Sequence, residues 1–180
     1  MNQLSIENKK YLLSLSRKSI ETYFEKGKYI PIEDVPEELE FSSMVFITLY
    51  NNNELRGCMG SFDHSIPICE NVRNMSIAVT EDRRFRQISN EEILFLNIEI
   101  SILSPLEEIN TIDDVILGKH GIFIEFGSKT GTLLPKVAIE HNMNKEEFLE
   151  CCFNKARIIS EKEKMCSKIY IYEVDAFKEN

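Results

Sequence analysis

Met44-Val45-Phe46-Ile47-Thr48-Leu49-Tyr50 runs into Asn51-Asn52-Asn53 and then Glu54-Leu55-Arg56-Gly57-Cys58, and the reading of this stretch decides the fold. The first arm is rich in β-branched and aromatic residues, the composition of a buried strand. Asparagines tolerate turn geometry, so Glu54 to Cys58 is expected to return as the second arm of an antiparallel hairpin. In a regular return strand side chains alternate, which would put Arg56 and Cys58 on one face and leave the other face open at Gly57.

Working outward, Leu12, Ser16, Ile20 and Phe24 recur at helical spacing, flanked by Leu13 and Tyr23, and Gly27 is the expected stop. Residues 28–42, with Pro31, Pro36 and a run of acids, read as a surface connection. A second helix is expected from Pro67 to about Thr80, its buried stripe being Ile68, Val72, Met75 and Val79. Ser89 with Glu92 forms the pattern of a capping box for a short helix. Asn97 to Leu103 alternates, with Ile98, Ile100 and Ile102 on one face and Glu99 and Ser101 on a face whose default is solvent. Further on, Thr111 to Leu117 reads as a short helix stopped by Gly118. Gly121–Phe126 and Thr130–Leu134 form a hairpin around Gly127-Ser128-Lys129. Helices follow from Pro135 and after Asn144, the latter marked by Glu147, and Lys168 to Val174 is the last strand. These elements predict one α+β domain over residues 1–180, with a mainly antiparallel sheet flanked by helices and a smaller second lobe.

Composition narrows the function classes. The chain has 180 residues, 43% hydrophobic and 28% charged, the balance of a folded globular protein. No apolar run is long enough to span a bilayer, and Met1 to Glu7 lacks the features of a signal peptide, so a cytosolic location is expected. Cys58, Cys69, Cys151, Cys152 and Cys166 form no C-x-x-C pair and suit a reducing compartment. A net charge of −9 disfavours nucleic acid and anionic membranes as partners. The three histidines show no paired metal-ligand spacing, and neither phosphate-cradling glycine motif is present, so no metal or cofactor is expected.

Leu55-Arg56-Gly57-Cys58-Met59-Gly60 is the stretch that carries chemistry. Arg56 offers a planar fork for an anion, Gly57 and Gly60 admit close backbone approach, and a cysteine beside an arginine can become a better nucleophile. The alternative for Cys58 is a small buried hydrophobe. A catalytic thiol needs a base, for which His64 and His120 are the candidates. Arg83, Arg84 and Arg86 could grip a carboxylate or phosphate, or could pair with Asp82 and Glu81 to brace a loop.

Leu-Arg-Gly-Cys-Met-Gly resembles the Leu-Arg-Gly-Cys-Ile-Gly signature of the AMMECR domain family, whose prokaryotic members are called AmmeMemoRadiSam system protein A. The resemblance extends to Phe46-Ile47-Thr48-Leu49, to the Asp-x-Arg-Phe motif at Asp82-Arg83-Arg84-Phe85, to the strand Ile98–Leu103, and to Gly131-Thr132-Leu133-Leu134-Pro135-Lys136-Val137-Ala138. It implies a partnership with a Memo-like protein and a radical S-adenosylmethionine protein, and the expected substrate is a small molecule or peptide. It also favours Asp82 and Arg84 over Arg83 and Arg86 as site residues. The cleft so implied holds Arg56, Gly57, Gly60, Asp82, Arg84 and His120, with Cys58 and Arg56 as catalytic candidates; the alternative is a non-catalytic binding or adaptor module that presents the same motif. The chain departs from the family in having no tryptophan and in carrying Lys155-Ala156-Arg157-Ile158 where Lys-Ala-Gly-Leu is common.

Overall fold

The computed structural model describes residues 4–179, so Met1-Asn2-Gln3 of the N-terminal stretch lie outside the described residues. In chain order the elements begin with α1 (Ile6–Lys26), β1 (Val45–Asn51), β2 (Glu54–Ser61), α2 (Ile68–Ala78), β3 (Leu96–Leu103) and β4 (Glu107–Ile109). They continue with β5 (Gly121–Phe126), β6 (Lys129–Leu133), α3 (Pro135–Glu140), α4 (Lys145–Ala156), α5 (Glu161–Met165), β7 (Lys168–Tyr172) and β8 (Val174–Lys178). The class is α+β, with two four-stranded antiparallel sheets in two units. The first unit takes the chain to Leu103 and resumes at Asp175; the second runs Ser104–Val174.

In the first unit the strand order is β2-β1-β3-β8. Val45, Ile47, Leu49, Ile98, Ile100 and Ile102 alternate onto one face and are buried with Leu12, Ile20 and Val72 of α1 and α2. Ser5 caps α1 by accepting the Asn8 amide, and Gly27 ends it in the left-handed region at φ 63°. The connection over residues 28–42 contains a 3-10 turn, Glu37–Leu39, that drives Leu39 into the core. The opposite sheet face is mixed: Ser101 and Thr48 are buried, while Glu99 and Phe46 are half-buried. Ser101 pairs across from Phe46 in the register, and the Phe46 ring lies over Gly60 of the neighbouring strand.

In the second unit the order is β4-β7-β5-β6, and its core gathers Ile122, Ile124, Leu133, Phe148, Cys152 and Ile171. Asn144 and Glu147 form a complete capping box at the start of α4. A second complete box, Ser160 with Glu163, starts α5, which the sequence reading passed over.

Three expectations are corrected. Thr111–Leu117 is no helix beyond the 3-10 turn Ile112–Asp114, because a segment this short and β-branched cannot repay helix nucleation. Ser89 accepts the Glu92 amide at 3.3 Å, but only a 3-10 turn, Glu92–Phe95, follows, and the Glu92 carboxylate is engaged elsewhere. Lys168–Val174 is not one strand: β7 stops at Tyr172 and the chain resumes as β8, in the other sheet. Among the described residues no helix is long and apolar enough to cross a membrane.

Candidate functional site

The β1–β2 hairpin turns through Asn52 and Asn53 at φ 50° and 65°, the doubly left-handed turn whose twist suits an antiparallel pair. Just beyond it the register slips: Tyr50 faces Leu55 but Leu49 faces Gly57, so Arg56 is an extra residue in a β-bulge. A bulge breaks the period of two and re-aims a side chain. Arg56 and Cys58 are therefore not simple neighbours on one regular face. Gly57 looks toward Val79, Cys58 shares a face with Thr48, and Arg56 turns to Glu92.

Arg56 and Glu92 are both buried and meet fork to fork, Nε donating to Oε1 at 2.5 Å and Nη2 to Oε2 at 3.1 Å. Arg56 Nη2 also donates to the Arg86 carbonyl at 3.1 Å, and Asn51 Nδ2 donates to Glu92 Oε1 at 3.3 Å. The hydrogen bond from Arg56, ahead of burial, holds the Glu92 carboxyl at about 2, well below its ordinary 4.5. The same bond raises the Arg56 guanidinium above its ordinary value.

Asp82 and Arg84 do a different job. β2 is an edge strand, and the Cys58 amide and carbonyl point away from β1. Asp82 Oδ2 accepts the Cys58 amide at 3.1 Å and Arg84 Nη2 donates to the Cys58 carbonyl at 2.5 Å. Arg84 in turn grips Asp82 at 2.7 Å and 2.9 Å, and that grip lowers the Asp82 carboxyl. The ion pair thus imitates one rung of a neighbouring strand, a device that covers an otherwise unpaired edge.

The remaining motif residues are packed. A Cβ on Gly57 would lie 2.8 Å from the Val79 carbonyl oxygen, and one on Gly60 would lie 2.4 Å from the Phe46 ring. The Cys58 thiol is half-buried and accepts from the Thr48 hydroxyl at 3.4 Å. Of the candidate bases, His64 is exposed on the loop after β2. His120 belongs to the second unit, where its Nδ1 accepts the Ile116 amide at 3.2 Å and closes a turn. The structure thus brings Arg56, Cys58, Asp82 and Arg84 into one neighbourhood, with Gly57 and Gly60 as packing points. Glu92, the partner of Arg56, was missed, since its only sequence signal was the capping pattern. Among the described residues no group of His, Cys, Asp or Glu could hold a metal ion.

What stays open beside the motif is a cleft of about 540 Å³, with Glu54, Leu55 and Arg56 on the hairpin side and Arg84, Phe85 and Arg86 on the loop side. The acids paired with these arginines, Asp82 and Glu92, are buried, whereas Arg84 and Arg86 are largely exposed and the one exposed acid of the lining is Glu54. The cleft can take a polar ligand that brings negative charge and some apolar surface.

The sequence pattern described as AMMECR1 matches residues 13–177. A protein of Methanococcus aeolicus is 33% identical, over 99% of this chain and 94% of its own length. A protein of Methanopyrus kandleri is 32% identical, over 98% and 91%. The crystal structure of an uncharacterized protein from Pyrococcus horikoshii superposes with a TM-score of 0.89 at 31% identity, covering 98% of this chain and 94% of that one.

Proposed function

The chain belongs to the AMMECR1 family, and from that premise we propose that it works as a non-catalytic accessory subunit, presenting its hairpin motif and the adjoining cleft to partner proteins. The partners are the Memo-like and radical S-adenosylmethionine proteins that the resemblance implies, and the setting is cytoplasmic. One observation carries this reading: apart from the Cys58 thiol, the motif's polar groups are already used inside the fold. The Arg56 fork is filled by Glu92, both backbone groups of Cys58 are held by Asp82 and Arg84, and each glycine accommodates a neighbour. An anion would have to displace a buried carboxylate to reach Arg56, which is unfavourable by several kcal/mol, on the order of 3. The Arg86 guanidinium, largely exposed and 3.7 Å from Glu92, is the cleft cation least bound by that obstacle.

A second reading keeps Cys58 as a reactive thiol, favoured by its partial exposure and the Thr48 hydroxyl against the sulfur. Cys58→Ser separates the two. For an accessory subunit the variant captures tagged Memo-like and radical S-adenosylmethionine proteins from the same genome as the wild type does, and pathway output in cells persists. Loss of output with capture intact would establish thiol chemistry and overturn the binding reading.

A further inference from the structure

Resting on the accessory reading and deepening it, we propose that the cleft beside β2 docks an extended segment of a partner protein in which carboxylates are flanked by apolar side chains. Three observations converge. First, the acids paired with the two cleft arginines are buried while the arginines face outward, although Glu54, Glu81 and Glu91 nearby are exposed. The Asp82 and Glu92 side chains are 4% and 7% exposed, while those of Arg84 and Arg86 are 58% and 83% exposed. Arg86 is the least committed of these cations: among the described residues its ion pair spans 3.7 Å to Glu92, whose carboxylate is already filled by Arg56. In a chain of net charge −9, outward guanidiniums select an acidic partner locally while the rest of the surface repels it.

Second, the cleft walls carry Leu55 and Phe85, so an occupant made only of charge would leave apolar surface uncovered. Third, the 3-10 turn that begins with Glu92 displays Leu94 and Phe95 to solvent at 78% and 69% exposure. Two consecutive large apolar residues held outward on an ordered turn mark a contact surface. Arginine with aromatic and large apolar anchors is the composition of interface hot spots, and an arginine fork recognises a carboxylate through two parallel hydrogen bonds. Both observations favour a protein segment over a small anion, which would have no use for Leu94 and Phe95.

The test uses the full chain and an array of hexapeptides that alternate Glu or Asp with Leu, Ile or Phe. Matched arrays carry Gln and Asn, or Lys, in place of the acids. The acidic-apolar peptides are expected to bind, and their amide counterparts to bind about tenfold more weakly. Arg86→Gln should lower the affinity about tenfold, and Phe95→Ser comparably. Arg86→Gln keeps the backbone carbonyl that Arg56 uses and sets no new carboxylate against Glu92, so folding is preserved; Lys28→Glu, at an exposed site elsewhere, should change little. Binding that is blind to the acids, binding unaffected by Arg86→Gln, or no binding to any hexapeptide overturns the proposal. A second copy of the chain as the occupant would show as a dimer that Phe95→Ser dissociates, and this too would overturn it. Capture of the Memo-like and radical proteins by Arg86→Gln at wild-type level sinks this site while leaving the accessory reading intact. Failure of the wild type to capture either one sinks the accessory reading itself.

Discussion

Replacing Glu92 by Gln removes the charge opposite Arg56 while keeping nearly the same shape, and the cost can be worked from two directions. A carboxyl held at about 2 against an ordinary 4.5 contributes about 3 kcal/mol at neutral pH. Solvent in the adjoining cleft trims that toward about 2 kcal/mol. From the other side, stranding a buried guanidinium costs roughly 3–5 kcal/mol, toward the low end here because the Arg86 carbonyl still accepts one bond. Glu92→Gln should therefore destabilise the protein by about 2–3 kcal/mol at neutral pH, read by urea denaturation. The folded-state value is depressed, so the stabilisation is complete above about 4.5 and is lost as pH falls toward about 2. The gap between wild type and variant should accordingly narrow below about pH 4.5, to about half by pH ~3. Arg56→Met with Glu92→Leu should recover much of the loss, since the apolar pair strands no charge. A loss under about 1 kcal/mol, or acid limbs that run parallel in the two proteins, would refute the view of this ion pair as a structural keystone.

Other outcomes follow from the same coordinates. Gly57→Ala and Gly60→Ala should each cost about 1–3 kcal/mol, the former more because the Val79 backbone carbonyl cannot yield as the Phe46 ring can; unchanged melting temperatures would make both residues plain linkers. In native-state alkylation followed by mass spectrometry, exposed Cys166 should react first, while Cys69 and Cys152, buried and pushed up to about 11 and about 12, stay silent; labelling of Cys152 at the rate of Cys166 would contradict that burial. Arg157, exposed and left-handed at φ 57° as the C-cap of α4, should give way to glycine with a gain of up to about 1 kcal/mol. A destabilised Arg157→Gly variant would show that the arginine makes a contribution that outweighs its backbone strain.

The parts of the fold that could be read beforehand are those set by local rules. Strand alternation at Ile98, Ile100 and Ile102, the Asn52-Asn53 turn, the Gly27 stop and the Asn144–Glu147 box need only neighbours a few residues away. The misreadings fall where a distant partner decides. Glu92 carries a capping pattern, but an arginine 36 positions earlier takes its carboxylate. Lys168–Val174 keeps a strand composition throughout, yet two sheets divide it at Glu173, which no local periodicity records. The bulge at Arg56 was hidden for the same reason, because register belongs to the pairing and not to either strand alone. The Asp82–Arg84 brace could be anticipated as an ion pair, but its grip on the Cys58 backbone belongs to the tertiary fold.

That grip also sets a schedule. Asp82 lies 24 residues after the amide it accepts. At a synthesis rate of roughly 5–20 residues per second, the hairpin edge waits about one to five seconds on the ribosome for its cover. During that interval the Cys58 amide and carbonyl are open to any extended chain nearby, including the hairpin of a neighbouring nascent copy. Once Asp82 and Arg84 arrive, the opening closes within the same molecule. The pair makes the β2 edge a hazard of birth and spares the mature protein.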